Sequence, residues 1–250
     1  MIKIAKTSQP VELTKSIIKS LTKQFKSTKK AVWKKQFIED ALLESSHSKC
    51  SYCECKLNTE SKYMEVEHFR DKFHHPNLVV VWDNLLPSCK RCNGLKSSHN
   101  VRKYPIINPT KMDPRDHLAM NSYRFFSKTI IGQTTIDLLL LNDTKKVVMA
   151  RFEIAEQVMT SVDEILEKCD RYLETRSIIM RNKIVQGTKN ILYEGSPHAE
   201  YSASVSTALL QNTNLYKIID FLKQEKLWDS ELQKLLDALR ETAFYEEPVR

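Results

Sequence analysis

The sequence predicts a mainly α-helical protein with a small metal-stapled ββα core. Apolar residues recur at steps of three and four in residues 1–46 and again from about Thr135, which is the helical period. Only four of the 250 residues are glycine, which also favours helices. Between the two helical regions lie two C-x-x-C pairs, a spacing typical of metal-binding knuckles. These observations divide the chain into residues 1–46, 47–110 and 111–250.

Residues 1–46 are predicted to form two basic helices. Their apolar residues follow the helical period in two runs, which a break near Ser27 and Thr28 separates. The first run is Leu13, Ile17, Ile18, Leu21 and Phe25, and the second is Val32, Trp33, Phe37, Ile38, Ala41 and Leu42.

The net charge of +8 is concentrated at the start of the chain. Residues 1–36 contain ten lysines and one acidic residue, Glu12, so the basic excess of the whole protein lies there. A lysine-rich helix face can simply be solvated, or it can follow the phosphates of a nucleic acid, which draws affinity from such charge. The sequence leaves both interpretations open.

Residues 47–110 are predicted to form the ββα core. Glu65 to Phe69 alternate in polarity like a short strand, and Asn84 to Pro87 begin a second one. Lys90 to Ser98 follow as a short helix. The knuckles Cys50–Cys53 and Cys89–Cys92 bracket this unit, and four thiolates in two close pairs suit a structural Zn²⁺ site. Cys55 is the one substitute ligand that the spacing allows.

The polar residues between the knuckles predict a hydrolytic site. His68 is the expected general base, because an imidazole near neutrality can accept a proton from water. Glu67 and Asn93 offer oxygen atoms, which Mg²⁺ prefers as ligands. Neighbouring residues of a strand point to opposite faces, so Glu67 and His68 can serve one site only at a bulge or a strand end.

A second basic stretch surrounds the second knuckle. No acidic residue lies between Pro87 and Met112, whereas six basic residues do. Lys90, Arg91 and Lys96 are therefore predicted to contact a nucleic-acid backbone, together with Arg70 just after the base. An ordinary exposed position explains Lys96 and Arg70 equally well.

Residues 111–250 are predicted to be loops followed by helices, with a surface for a partner protein. Asn142, Asp143 and Thr144 can cap a long helix. A break at Gly195–Pro197 separates it from three shorter helices near 205–210, 215–224 and 232–244.

Two sequence signals that are absent indicate the class of protein and its cellular compartment. No run of eighteen apolar residues and no secretory signal is present, so we expect a soluble, cytoplasmic protein without a membrane role. Six cysteines, four of them in metal-ligand pairs, fit a reducing compartment better than a disulfide framework.

The order of these motifs resembles the HNH endonuclease family. Within it, the chain is similar to the nuclease subunits of Septu anti-phage systems, including those attached to retrons. The motifs that carry the resemblance are Cys50–Glu54, Val66–Arg70, Trp82–Leu85 and Cys89–Ser97, with weaker support from Thr135–Asp137, Leu140–Asn142, Arg151 and Tyr201–Ala203.

The resemblance implies a function and a set of partners. It implies metal-dependent cleavage of DNA or transfer RNA in concert with a separate ABC/SMC-like ATPase. In a retron setting it implies a reverse transcriptase and its multicopy single-stranded DNA (msDNA) as further partners. Asn84 corresponds to the middle asparagine of the family, which ties the loop between the strands to the backbone near the base.

One position departs from the family pattern. Many HNH enzymes carry histidine where this chain has Asn93, so an oxygen replaces a nitrogen ligand. The expected catalytic metal is therefore Mg²⁺ or Mn²⁺.

Two other functions remain open from sequence. A non-catalytic zinc-ribbon module could present Lys90, Arg91 and Lys96 to nucleic acid, but that function does not explain Glu67, His68 and Asn93. A metal-stapled scaffold that binds only other proteins does not explain the acid-free basic stretch.

Overall fold

A computed structural model describes residues 1–59 and 63–244 of the chain. These residues form nine α-helices and four short strands. The helices are α1 Lys15–Thr28, α2 Gln36–Ser45, α3 Lys90–Lys96, α4 Ile130–Leu138, α5 Met149–Thr175, α6 Ile178–Glu194, α7 Ser202–Gln211, α8 Thr213–Gln224 and α9 Ser230–Thr242. The strands are β1 Met64–His68, β2 Leu85–Cys89, β3 Leu118–Asn121 and β4 Arg124–Ser127. The expectation of a mainly helical protein is confirmed, and the strands form two small sheets.

The chain divides into two compact units. Unit 1 comprises Met1–Leu118 and Phe126–Leu141, and unit 2 comprises Ala119–Phe125 and Asn142–Arg250. Unit 1 therefore contains both the N-terminal helices and the cysteine knuckles. The finer division into residues 1–46, 47–110 and 111–250 stays a prediction.

The two N-terminal helices of unit 1 lie where the apolar spacing places them. Thr14 caps α1 by accepting a hydrogen bond from the Ile17 backbone N–H. The helix ends at Lys29, which adopts the left-handed conformation with φ 58°. The apolar sides of α1 and α2 are buried against residues of the knuckle segment, including Val66, Val79 and Leu85. This shared core holds the basic helices against the ββα elements.

The ββα order is present in unit 1. β1 pairs antiparallel with β2, with Met64 opposite Cys89 and His68 opposite Leu85. α3 begins at the residue after β2, so the second knuckle spans the junction between strand and helix. β1 ends at His68, which is the strand end expected at the Glu67–His68 dipeptide.

Unit 2 is built from helices α5 to α9. Their buried side chains form one apolar cluster that includes Val162, Ile165, Ile184 and Leu215. α5 and α6 approach closely at Gly187, where an added Cβ would lie 2.2 Å from the Ile165 side chain. A larger residue here would require the Ile165 side chain to move, because its terminal Cδ1 atom occupies that space.

The long helix predicted up to residue 194 is instead two helices. α5 ends at Thr175, Arg176 takes a left-handed conformation with φ 48°, and Ser177 caps α6 by accepting from Met180 N–H. The predicted start is confirmed: Asp143 caps a π-helical turn, Thr144–Val148, that leads into α5. The break at Gly195–Pro197 is also confirmed, because α6 ends at Glu194.

The region predicted as loops contains more structure than expected. β3 and β4 form a two-stranded sheet, and α4 follows it with Thr129 as its N-cap. Asn142 supports β4, because its side-chain amide bonds both the N–H and the carbonyl of Phe125. No helix within the described residues is long and apolar enough to span a membrane.

Candidate functional site

Four cysteine thiols converge in unit 1. The sulfur atoms of Cys50, Cys53, Cys55 and Cys89 all lie within 4.8 Å of one another, and the first three side chains are buried. The Cys53 and Cys89 sulfurs, one from each knuckle, are 3.7 Å apart. Four soft donors in one tight group fit the tetrahedral ligand set of a structural Zn²⁺ site.

The fourth position of this set has two candidates. The group of four contains Cys55, where the sequence predicted Cys92. The thiols of Cys55 and Cys92 each interact with those of Cys50, Cys53 and Cys89. Three cysteines are thus common to both sets. Cys55 completes the tight group of four in the structure, and Cys92 is the alternative fourth ligand that the sequence predicts.

Local backbone geometry brings the knuckles together. The first is a tight turn in which the Cys50 N–H donates to the Cys55 carbonyl and Glu54 adopts a left-handed conformation with φ 69°. In the second, the Cys89 sulfur caps α3 by accepting from the Cys92 N–H. Each turn directs neighbouring sulfurs toward one point, as a shared ion requires.

A cleft of about 290 Å³ beside the knuckles collects the predicted catalytic residues. It is lined by Glu67 and His68 from the end of β1 and by Asn93 from α3. Asp71 and Ser97 also line it, and the sequence reasoning did not single out either of them. Three of the four predicted catalytic side chains therefore share one cleft, whereas Asn84 is not among the lining residues.

His68 is held in a defined tautomer. Its Nε2 lies 2.9 Å from the carbonyl oxygen of Val79. Because a carbonyl only accepts, Nε2 carries the hydrogen and Nδ1 keeps a free lone pair. The ring also packs edge-on against Trp33 at 4.6 Å between centroids. Burial lowers the pKa of His68 to about 4, so the imidazole is neutral at pH 7.

Glu67 is a buried carboxylate paired with a buried lysine. Lys96 Nζ lies 2.5 Å from Glu67 Oε1 and donates a second bond, of 2.9 Å, to the His68 carbonyl. Burial raises the pKa of Glu67 to about 7, against the opposing attraction of Lys96. One lysine therefore fixes the backbone and a side chain of the Glu67–His68 dipeptide.

Asn93 is oriented by a residue that the sequence analysis did not identify. Its Nδ2 donates to the carboxylate of Glu65. Glu65 and Glu67 are two residues apart on β1 and so lie on the same face of the strand. This E-x-E spacing is the sequence signal that could have revealed Glu65.

Asn84 connects three backbone groups around the loop between the strands. Its Nδ2 donates to the carbonyls of Arg70 and Leu78, at 3.0 and 3.2 Å. Its Oδ1 accepts from the Arg70 N–H at 2.8 Å. These bonds have the geometry that a scaffolding residue needs. The Asn84 carbonyl also accepts from the N–H of Phe69, the residue after His68.

Two of the four residues predicted to contact nucleic acid are bonded to other groups of the protein. Lys96 is buried by its pairing with Glu67, so it cannot meet a phosphate as the sequence suggested. Arg91 donates to the carbonyls of Leu139 and Leu140, where α4 ends. Lys90 and Arg70 are exposed, and their contact with nucleic acid stays a prediction.

The cleft also fits the predicted divalent cation. Glu67 and Asn93 bring a carboxylate and an amide to one cavity, which is the oxygen-rich chemistry that Mg²⁺ or Mn²⁺ prefers. The bond to Glu65 leaves the Asn93 carbonyl oxygen, not its NH₂ group, as the atom available for a metal.

Two curated proteins are similar to this chain, and both are called Septu protein PtuB. The one from Bacillus thuringiensis is 42% identical over 238 residues, which cover 94% of this chain and 92% of that protein. The one from Bacillus mycoides (strain KBAB4) is 25% identical over 267 residues, covering 82% of this chain and 88% of that protein. No family model and no solved structure matches the chain.

Proposed function

The chain belongs to the Septu PtuB family, and on this basis we propose that it is a metal-dependent HNH endonuclease acting in anti-phage defence. The observation that carries the proposal is the shared cleft of Glu67, His68 and Asn93 at the end of β1 and on α3. A histidine with one free ring nitrogen beside two oxygen donors has the chemistry of phosphodiester hydrolysis.

His68 acts as the general base in this mechanism. Nδ1 takes a proton from water while the water oxygen bonds to phosphorus and the bond to the leaving oxygen breaks. The Val79 carbonyl at Nε2 keeps the ring in the required tautomer and stabilises the positive charge that it gains. Contact with Trp33 limits rotation of the ring.

Glu67 and Asn93 would hold Mg²⁺ or Mn²⁺ in the cleft. When bound, this ion would polarise the scissile phosphate and stabilise the leaving oxygen. Glu65 orients the Asn93 amide, and Lys96 holds Glu67 in place. The cysteine cluster would hold a structural Zn²⁺ ion that fixes the start of α3, and therefore Asn93, relative to the strands.

The partners follow from the family resemblance. We assign the protein an ABC/SMC-like (PtuA-like) ATPase as its companion, with DNA or transfer RNA as substrate. A retron reverse transcriptase and its msDNA are further partners where a retron accompanies the system. Helical unit 2 is the surface we assign to docking, and the turn between α5 and α6 exposes the apolar residues Leu173, Ile178 and Ile179.

The test is cleavage of labelled duplex DNA, single-stranded DNA and transfer RNA, with Mg²⁺ or Mn²⁺ and with EDTA. The protein is assayed alone and with its co-purifying ATPase. His68→Ala is expected to stay folded and zinc-loaded but to lose cleavage by about 100-fold or more. His198→Ala, an exposed histidine of unit 2, is the matched control.

The outcomes separate the alternatives. Full activity in His68→Ala would remove the proposed base. Absence of cleavage by the wild-type protein under every condition, together with bound zinc and tight nucleic-acid binding, would instead establish the non-catalytic zinc-ribbon module.

A further inference from the structure

Four lysines form a stripe along α1. Lys15, Lys19, Lys23 and Lys26 are all exposed. At about 100° per residue they fall within an arc of about 80° on the helix surface. Leu21 and Phe25 are buried on another side of the same helix. We call this row of four side chains the lysine stripe.

The charge of the lysine stripe is not neutralised within the described part of the chain. In residues 1–59 and 63–244, no carboxylate lies within ion-pair distance of any of its four ammonium groups. No acidic residue occurs between Leu13 and Ile38. Four like charges along one helix face repel one another, and only a polyanion or counterions can relieve that repulsion.

The last turn of α1, where the lysine stripe ends, lies near the catalytic cleft. Near the end of α1, Phe25 contacts Trp33 at 5.8 Å between ring centroids, and Trp33 contacts the His68 ring at 4.6 Å. Lys72, which lines the cleft, lies over Trp33 with its Nζ 5.1 Å from the centroid. Two aromatic contacts therefore separate the last turn of α1 from the proposed base.

A substrate in the cleft needs more cationic contacts than α3 provides, because Lys90 is its one exposed basic residue. Arg91 and Lys96 are both engaged with protein groups, so much of the positive charge around α3 faces inward. The lysine stripe is a row of exposed charge within unit 1 that is connected to the cleft by packed residues. Its length, about 16 Å from Lys15 to Lys26, equals the rise of about five base-pair steps of a duplex.

We propose that the lysine stripe binds the sugar-phosphate backbone of the nucleic-acid substrate on one side of the scissile bond. The proposal rests on the proposed nuclease function and adds the path that the substrate follows. Lysines contact phosphates as point charges, so the stripe contributes affinity and orientation without sequence preference.

The test is the salt dependence of binding. The four stripe lysines are changed to glutamine in the His68→Ala protein, so that the substrate stays intact. Binding to a 30-base-pair duplex DNA and to transfer RNA is measured by fluorescence anisotropy from 50 to 300 mM KCl. The slope of log K against log salt is negative, and each lost phosphate contact makes it less steep by about 0.9 on duplex DNA. For the four lysines we therefore expect the slope to become less steep by about 3.6. At 100 mM salt, binding should weaken by about tenfold or more.

A matched variant controls for net charge. Lys145, Lys146, Lys226 and Lys234 are four exposed lysines of unit 2, and changing them to glutamine removes the same charge. We expect this variant to keep the wild-type slope. Equal losses in both variants would attribute binding to overall charge and overturn the proposal, as would an unchanged slope in the stripe variant or no salt-dependent binding by the parent protein.

Failure of the stripe is distinguishable from failure of the nuclease function. In protein that retains His68, the stripe variant is expected to raise KM and leave kcat nearly unchanged. Metal-dependent cleavage by the stripe variant with an unchanged KM would overturn the proposal for the lysine stripe but not the nuclease function. The nuclease function depends on the separate comparison of wild type with His68→Ala.

Discussion

The side-chain amide of Asn93 donates a hydrogen bond to the carboxylate of Glu65 and thereby determines which of its own atoms faces the cleft. An ionised carboxylate can only accept, so the NH₂ group must point at Glu65 and the carbonyl oxygen must point away from it. A metal in the cleft would require that oxygen. Glu65 is therefore a positioning residue for the proposed Mg²⁺ or Mn²⁺ ligand.

Glu65→Gln should weaken metal binding without abolishing the chemistry. A glutamine can present either an oxygen or an NH₂ group, so Asn93 loses its fixed orientation. Loss of such an outer partner costs roughly 10- to 100-fold in metal affinity. We expect a corresponding rise in the Mn²⁺ dissociation constant, measured by electron paramagnetic resonance, with kcat at saturating metal within a few-fold of wild type.

The control for this change is Glu44→Gln, at an exposed position of α2. It should leave Mn²⁺ affinity unchanged. A Glu65→Gln protein with wild-type Mn²⁺ affinity but a much lower kcat would contradict the positioning role.

Lys96→Met should destabilise unit 1, because it leaves the buried Glu67 carboxylate without its cation. Removing one partner of a buried ion pair costs about 3 kcal/mol or more. Urea unfolding of zinc-loaded protein without Mg²⁺ measures the loss. Lys90→Met removes an exposed lysine of the same helix and should stay within about 0.5 kcal/mol of wild type.

The double variant Lys96→Met/Glu67→Gln tests the cause of that loss. Removing the charge from both partners should recover a large part of the stability. The loss of unfolding free energy in the double variant is compared with the sum of the losses in the two single variants. If the two are equal, the residues are not energetically coupled and the ion pair does not explain the buried lysine.

Asn84→Asp should destabilise the loop between β1 and β2 by breaking some of the bonds of this side chain and keeping another. Aspartate keeps an acceptor for the Arg70 N–H but loses both bonds to the carbonyls of Arg70 and Leu78. We expect a loss of about 2 kcal/mol for the buried carbonyls left without donors. The Arg70 amide should stay protected from hydrogen exchange in Asn84→Asp and lose protection in Asn84→Ala; equal protection in both would contradict the assigned bonds.

The two candidates for the fourth zinc ligand predict a specific redundancy. Cys55 and Cys92 each interact with the same three thiols, so Cys55→Ser and Cys92→Ser should each retain about one zinc per chain. The double variant, like Cys89→Ser, should lose zinc and unfold, because metal binding and folding are one equilibrium in such sites. Elemental analysis and thermal unfolding measure both effects, and zinc loss in Cys92→Ser alone would show that Cys55 cannot replace it.

The parts of the fold that the sequence predicted correctly depend on local spacing. Helical periodicity located α1 and α2, and the step from β2 into α3 follows from alternation and then a C-x-x-C pair. These signals lie within a few residues of the elements that they predict. Asp143 at the start of the π-helical turn before α5 is another local signal, since a capping side chain bonds its own next turn.

The contacts that the sequence did not reveal join residues far apart in the chain. Nothing near Lys96 indicates that Glu67 neutralises it, and nothing near Arg91 indicates the carbonyls at the end of α4. Both depend on how the elements pack. The turn at Arg176 was hidden because a non-glycine residue adopts the left-handed conformation there, so the usual glycine or proline signal is absent.

The short length of α3 restricts how the site can vary in related chains. Asn93 and Lys96 are three residues apart and so share one side of the helix, where they meet Glu65 and Glu67 on one face of β1. An inserted residue in α3 would turn one of these side chains by about 100° away from its partner, even with every residue type retained. Helical phase therefore specifies the site as strictly as residue identity does.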